Sequence, residues 1–388
     1  MQYALDKKSG KGLSVLGFGW MRYPSDKTKA EQLVIKAVEK GINYFDTAYI
    51  YGNSEVSLGG ILEKNNLRDK IYIATKLPHG KCKTYEDFDK IFDEQLSRLK
   101  TDYIDYYLIH NVTDLDSWNR ICALGIEKWI EEKKASGKIR QIGFSFHGTQ
   151  NEFFKLMEAY PWDFTQIQYN YMDEHYQAGR AGLEKAYEMG VPVIIMEPLL
   201  GGKLATGLSA KAVKQFTDVD PNRSPAAWAL KWLWNQPGVT CVLSGMNTME
   251  QLDENVRAAT DSGHGTLTEK ERAVFGPVMD IIRESYKVTC TGCNYCLPCP
   301  HGVNIPGCFA AYNTRYAMGL IPAMTQYITG TGAHQPGKKA RASFCVSCGV
   351  CVKKCPQHID IPKELQNVTK KMEPFYFKLG LWIVRKFI

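Results

Sequence analysis

The sequence lacks any run of about 18 apolar residues, which excludes a helix that spans a bilayer. Its opening stretch, MQYALDKKSGKGLSVLG, puts no apolar core behind the basic residues and predicts no secretory signal and a cytoplasmic chain. Cysteine is sparse through the first 284 residues, where only Cys82, Cys122 and Cys241 occur, read as buried or surface thiols. Acidic side chains are sparse in the remainder. Residues 285–388 hold 3 Asp and Glu against 13 Lys and Arg, a net of +10, while residues 1–284 sit at −3. The 388 residues are 44% hydrophobic and 23% charged, the balance of a globular chain with room for one large domain and one small one. Nothing in the composition calls for nucleic acid as a partner.

What is present begins with eight β-rich runs: LSVLGFG, NYFDTA, IYIATK, YIDYYLIH, IRQIGFSF, FTQIQY, VPVIIMEP and VTCVLSG. Between them lie amphipathic stretches such as KAEQLVIKAVEKG and YEDFDKIFDEQLSRLK, apolar at three- and four-residue spacing and often followed by Gly. Eight strand–helix units predict an α/β fold of the (β/α)8 barrel type, and strands apolar throughout suit a parallel sheet covered by helices. The barrel is assigned to residues 1–265. A connecting helix over 266–286, a small, mainly helical, cysteine-rich domain over 287–372 and an apolar tail over 373–388 follow. Residues 200–222 form a long loop after the seventh strand.

Function in such barrels gathers where strands end. There NYFDTA delivers Asp46, IYIATK delivers Lys76, YIDYYLIH delivers His110, and DTAYIYG adds Tyr51. Taken singly, Asp46 reads as a helix cap, Lys76 as a rim residue and His110 as a core histidine. Four ionisable groups at matching strand ends have no such structural reading. With the words DTAYIYGNSE, ATKLP, DYIDYYLIH and GKIRQIGFS, residues 1–260 resemble the aldo-keto reductases, whose Asp-Tyr-Lys-His tetrad falls on Asp46, Tyr51, Lys76 and His110.

The resemblance implies an NAD(P)H-linked oxidoreductase that reduces an aldehyde or ketone, or oxidises the alcohol. Lys76 is expected to lower the Tyr51 phenol from its free value near 10, Asp46 to keep Lys76 charged, and a neutral His110 to orient the carbonyl. It also implies a dinucleotide site that includes Trp20 and Met21. Ser145 and Gln166 hold the carboxamide. Pro198, Leu199, Leu200 and Gly201 cover the pyrophosphate, and Gly245, Met246, Asn247, Gln251 and Asn255 line the adenosine side. Two departures stand out. Phe146 and His147 replace the usual GxSN ending, and no Lys or Arg in Met246–Gln251 faces a 2′-phosphate, so NADP and NAD both stay open.

The other chemistry lies in CTGCNYCLPCP and CVSCGVCVKKCP. With no export signal, nine cysteines between Cys290 and Cys355 favour metal over disulfides. The second run has the C-x2-C-x2-C-x3-C-P spacing of bacterial ferredoxins, in which three cysteines bind one cluster and the fourth binds the other. Applied here, Cys290, Cys293, Cys296 and Cys355 hold one 4Fe-4S cluster, and Cys345, Cys348, Cys351 and Cys299 hold the second. Tetrahedral zinc is the competing reading, but zinc takes paired knuckles rather than triplets ending in Cys-Pro. Cys308 is left over as a packed thiol. Two oxidised clusters subtract roughly 2 charges apiece, balancing part of the basic excess. The remainder suits docking of an acidic ferredoxin or flavodoxin, or simply a solubilising surface.

Two functions follow. In the first, the barrel performs carbonyl chemistry and the clusters carry electrons or support structure. In the second, the chain is a ferredoxin-type electron-transfer protein feeding a redox site in the barrel mouth. A flavin would suit that second role, though no motif announces one. Trp20, Met21, Tyr49, His79, Trp118, Phe146 and His147 are expected to line the mouth, favouring an apolar or aromatic carbonyl substrate. The tail EPFYFKLGLWIVRKFI reads as a packed helix or, less simply, a membrane-surface anchor.

Overall fold

The computed structural model describes residues 1–388 except 291, 293–295, 334, 336, 356, 378–379 and 382–388. It resolves into two compact units: Met1–Tyr171, Ala178–Leu199 and Ala226–Glu269 form the first, and Met172–Gln177, Leu200–Pro225 and Lys270–Ile388 the second.

In the first unit each of the eight apolar runs supplies one barrel strand: β1 (Leu16–Gly19), β2 (Tyr44–Asp46), β3 (Tyr72–Leu77), β4 (Ile104–Val112), β5 (Ile139–Phe146), β6 (Phe164–Gln168), β7 (Val193–Met196) and β8 (Val239–Ser244). They pair in parallel in chain order, and the ring closes where Val242 of β8 lies opposite Leu16 of β1. Both faces are covered, so the strands are buried nearly throughout and show no polar alternation. The intervening helices start where their sequences permit: Asp26 accepts from the Thr28 and Lys29 amides ahead of Lys27–Glu39, and Thr248 caps Met249–Thr260.

The sequence pattern does not announce one element. The run LSVLGFG divides at Val15, and the residues ahead of it, Gly12–Ser14, pair antiparallel with Tyr3–Leu5 as a short hairpin. The hairpin seals one end of the barrel. Its turn buries Asp6, which accepts from the Tyr106 hydroxyl at 2.6 Å, and its Leu13 joins Tyr44, Tyr106, Leu108, Phe164 and Cys241 in the interior cluster. Packing there leaves no room at Gly17, where a Cβ would sit 2.7 Å from Cys241 Sγ.

The second unit is helical, with no strand among its described residues. FAAYNTRYAMG falls within the helix Ile305–Met318, followed by Leu320–Thr331 and later by Ile361–Met372. Val303, Ile305, Cys308, Phe309, Tyr327, Leu365, Val368 and Met372 form its core, joined by Phe377 and Leu381 from the start of the tail. The end of the tail lies outside the described residues. Among the described residues no helix is long and apolar enough to cross a membrane.

A buried carboxylate organises this unit. Glu373 accepts from Tyr327 Oη at 2.6 Å, from the Ser343 amide at 3.0 Å and hydroxyl at 2.7 Å, and from Arg341 Nη1 at 3.1 Å. These bonds tie the turn Ala342–Phe344, which leads directly into Cys345, to the end of the last helix. Glu373→Ala strands a buried guanidinium and is expected to cost about 3–5 kcal/mol, read as a lower urea midpoint of the helical signal. Glu373→Gln, which keeps one acceptor oxygen, is expected to cost clearly less.

Candidate active site and cysteine region

β2 ends on Asp46, β3 carries Lys76 and β4 carries His110, all at the barrel end opposite the hairpin. The Lys76 ammonium is fully committed: it donates to Asp46 Oδ1 at 2.6 Å, to Asp46 Oδ2 at 2.7 Å and to the Thr47 carbonyl at 2.7 Å. Gln166 Nε2, from β6 on the other side of the barrel, adds a bond to Asp46 Oδ2 at 2.9 Å. Lys76 and Asp46 are only 1% and 5% exposed, so the pair is desolvated and hydrogen-bonded together.

Tyr51 lies in the turn between β2 and the helix Ser54–Lys64. Its ring centroid is 5.4 Å from Lys76 Nζ and 5.8 Å from the His110 ring, which meets it edge-on at 85°. The helix that begins just beyond Tyr51 is anchored by Glu55, a fully buried carboxylate bonded to Thr75 Oγ1 at 2.6 Å, Gln95 Nε2 at 2.8 Å and Arg98 Nη1 at 3.2 Å. The four residues named from the strand ends therefore meet in one mouth.

The electrostatics depart from expectation at Tyr51. Its phenol is pushed up, not down, first by burial and then by the negative charges of Asp46 and Glu197, and Arg22 is the cation that opposes them. Burial draws the Lys76 ammonium below its ordinary value against the pull of Asp46. Burial, then Lys76, His147 and His79, hold His110 well below the usual imidazole range, so it is neutral. His110 Nδ1 is buried with no hydrogen-bond partner.

Two further mouth residues escape a reading by sequence. Glu197 follows β7 with φ of 54°, and burial raises its carboxyl against Arg22. A signal for it exists: a charge ends the otherwise apolar run VPVIIMEP, as Asp46 ends its own. Arg22 lies just past β1.

Of the expected dinucleotide residues, Ser145 and Gln166 stand opposite each other on β5 and β6. Ser145 Oγ accepts from the Asn111 amide at 2.8 Å, and Gln166 Oε1 is buried without a partner. Trp20 is fully buried, stacked on Tyr23 at 5.2 Å, with its indole N–H unpaired, while Met21 is exposed. At the end of β8, Gly245 and the buried Met246 lead to Asn247, whose amide donates to Gln251 Oε1 at 2.7 Å, and Asn255 Nδ2 reaches Ser244 Oγ at 3.0 Å. Pro198 and Leu199 fall in the barrel unit; Leu200 and Gly201 fall in the second.

The expected lining is corrected in three places. Trp118 packs between Tyr160 and Trp162, Phe146 points outward onto Phe153, and Tyr49 is bound to Glu94 at 2.7 Å beneath Arg98. Phe146 follows the inward Ser145, so strand alternation sends it outward. Of the expected lining, Trp20, Met21, His79 and His147 are not displaced in this way.

In the second unit burial raises the Cys351 thiol, and Cys345, Cys299 and Cys348 add to it, which places each of the three within electrostatic reach of Cys351. The Ser347 amide donates to Cys345 Sγ at 3.4 Å, the kind of bond that stabilises a cluster thiolate. Cys290, Cys296 and Cys355 pack on or within the same core, and Cys293 lies outside the described residues. Among the described residues no three His, Cys, Asp or Glu side chains converge on a single ion. Cys308 donates to the Ala340 carbonyl at 3.7 Å and is pushed up by burial, a thiol that keeps its proton.

Comparison with known proteins agrees with both halves. The model of the aldo/keto reductase family matches residues 10–271, and that of a 4Fe-4S dicluster domain matches residues 289–360. The chain is 30% identical to the oxidoreductase YqkF of Bacillus subtilis (strain 168) over 292 residues, 67% of this chain and 90% of that one. Over 324 residues it is 26% identical to L-glyceraldehyde 3-phosphate reductase of Escherichia coli (strain K12), covering 70% and 91%. The holo form of an aldo-keto reductase from Bacillus halodurans superposes with a TM-score of 0.58 at 25% identity over 72% of this chain and 95% of that one. An aldo-keto reductase from Klebsiella pneumoniae, solved with NADPH, shares the fold at 0.60 and 20% identity over 72% and 95%. The chain belongs to the aldo/keto reductase family and carries a 4Fe-4S dicluster domain in addition to its barrel.

A depressed His110 binds its proton less readily folded than unfolded, so acid favours unfolding. Relative to His110→Gln, the wild type is expected to lose up to about 1.4 kcal/mol per pH unit as pH falls from about 6.5 to about 5, measured by urea unfolding across that range.

Proposed function

We propose that the barrel reduces a carbonyl compound with NAD(P)H, using Asp46, Tyr51, Lys76 and His110. The observation that carries the reading is the buried Lys76–Asp46 pair at 2.6 Å with Tyr51 and His110 facing each other beside it. Two relatives support a carbonyl substrate by name, the L-glyceraldehyde 3-phosphate reductase above and the 6-dehydroglucose reductase of Novosphingobium aromaticivorans, 28% identical over 276 residues.

A bound reduced dinucleotide supplies hydride to the carbonyl carbon. Neutral His110 donates a hydrogen bond to the carbonyl oxygen and fixes its direction. Tyr51, kept protonated by its raised pKa, gives its proton to that oxygen as negative charge develops, because an alkoxide is a stronger base than a phenolate. The carbonyl gains one hydride and one proton, and the alcohol leaves. The transient phenolate is stabilised by Arg22 and regains a proton from water. Ser145 and Gln166 are the residues suited to the carboxamide end, and Gly245, Met246, Asn247, Gln251 and Asn255 to the adenosine end. The absence of a cation from Met246–Gln251 favours testing NADH beside NADPH.

The same proposal gives the second unit two 4Fe-4S clusters with the crossed ligands named above. Cys348 is exposed, flanked by exposed Val346 and Val350 and followed by Lys353 and Lys354. An apolar collar with nearby cations suits transient docking of an acidic ferredoxin or flavodoxin, and it favours the second reading, electron transfer, as a function of this unit.

Tyr51→Phe is expected to lower carbonyl reduction by about 10²–10⁴-fold while leaving dinucleotide affinity within about two-fold, and full activity in this variant refutes the tetrad. For the clusters, anaerobic titration is followed at the visible band. Bleaching by NADH or NADPH means the centres are wired to the barrel; bleaching by dithionite alone means they serve an outside carrier or structure.

A further inference from the structure

We propose that Asn111 holds the nicotinamide carboxamide, supplying from β4 the amide that Phe146 and His147 fail to supply after Ser145. The proposal rests on the dinucleotide reading above and deepens it.

The argument starts in the backbone. Along the β4–β5 seam Ile109 pairs with Phe144 and Val112 with Phe146, so three steps on β4 oppose two on β5. The extra residue is a bulge at His110–Asn111, and Asn111 occupies it with φ of 57°, a left-handed conformation that asparagine tolerates better than most residues. In a regular strand Asn111 would point opposite to His110, toward the helices. A bulge interrupts that alternation and lets two successive side chains face the same way.

Its main-chain groups are occupied there. The Asn111 amide donates to Ser145 Oγ at 2.8 Å, and its carbonyl lies 3.4 Å from His79 Nε2. Arg120 Nη2 donates to His79 Nδ1 at 3.0 Å, which leaves Nε2 as the ring nitrogen carrying hydrogen, able to donate to that carbonyl. The Asn111 side chain is different: Oδ1 is buried with no partner, and so is Gln166 Oε1. Both flank Ser145, one through the Asn111 amide bond and one through strand register.

Two buried acceptors left unsatisfied on either side of a hydroxyl are costly unless a ligand meets them. A primary carboxamide has the complementary set: two N–H donors and one carbonyl oxygen. Its N–H groups suit Asn111 Oδ1 and Gln166 Oε1. Its oxygen suits the Ser145 hydroxyl hydrogen, which is free to donate because Oγ already accepts from Asn111.

The test is Asn111→Gly in the full holoprotein, since glycine adopts the same φ without strain. Dissociation constants are measured by tryptophan fluorescence for three probes. These are the reduced carboxamide dinucleotide, its 3-acetylpyridine analogue with no N–H on the side group, and ADP-ribose with no nicotinamide. The expected result is a loss of roughly ten-fold for the carboxamide form only, the other two staying within about two-fold. Asn111→Asp, which keeps an acceptor oxygen in the same place, is expected to retain the preference for carboxamide over acetyl. Equal weakening of all three probes, or none for the carboxamide form, overturns the role of Asn111 alone. A wild type that binds none of the three overturns the dinucleotide reading and this proposal with it.

Discussion

The mouth of the barrel is organised around one desolvated ion pair, Lys76 with Asp46. Removing two charges from water is expensive, and the arrangement persists because every polar direction is met. The ammonium uses all three of its hydrogens on Asp46 and the Thr47 carbonyl, and the carboxylate takes a further bond from Gln166. Strands β2, β3 and β6 are thereby tied across the interior. Beside this pair the Tyr51 phenol is raised by burial and by the charges of Asp46 and Glu197, and Arg22 opposes them. Further out, the Glu55 network has a similar effect, fixing the helix that starts after Tyr51.

The second unit solves a different problem, how to present many thiols in a small helical body. Glu373 anchors the approach to Cys345, and Cys290, Cys296, Cys299, Cys345, Cys351 and Cys355 pack in or against the core to which Ile305–Met318 and Ile361–Met372 contribute. The one thiol outside the spaced runs, Cys308, is sealed into that core. Under the proposed function the two units carry different electron chemistry: pairs moved as hydride in the barrel, single electrons in the helical unit.

Much of this is legible in the residues because it follows from periodicity and composition. Eight apolar runs separated by amphipathic stretches leave few alternatives to a closed parallel barrel, and charged residues at strand ends stand out against such runs. The spacing of the cysteines is equally direct. What is not legible depends on local departures from periodicity. The hairpin at Gly12–Ser14 is hidden inside an apparently continuous strand. Trp118, Tyr49 and Phe146 look like pocket residues by type, yet helix packing, an outer ion pair and strand alternation send them elsewhere. The register shift at His110–Asn111, on which the proposal for Asn111 rests, is encoded by no hydropathy pattern.

The seam between β8 and β1 also governs how the molecule is made. Leu16 is made before the other barrel strands, and its register partner Val242 arrives only after all of them have been synthesised. Until then the nascent sheet carries two open edges, and non-local closures of this kind are slow. The small hairpin beside β1, with its Asp6 latch to Tyr106, can engage once β4 has emerged and shelter that waiting end. The cysteine runs come after β8 in the chain, so their thiols emerge once every barrel strand has been synthesised.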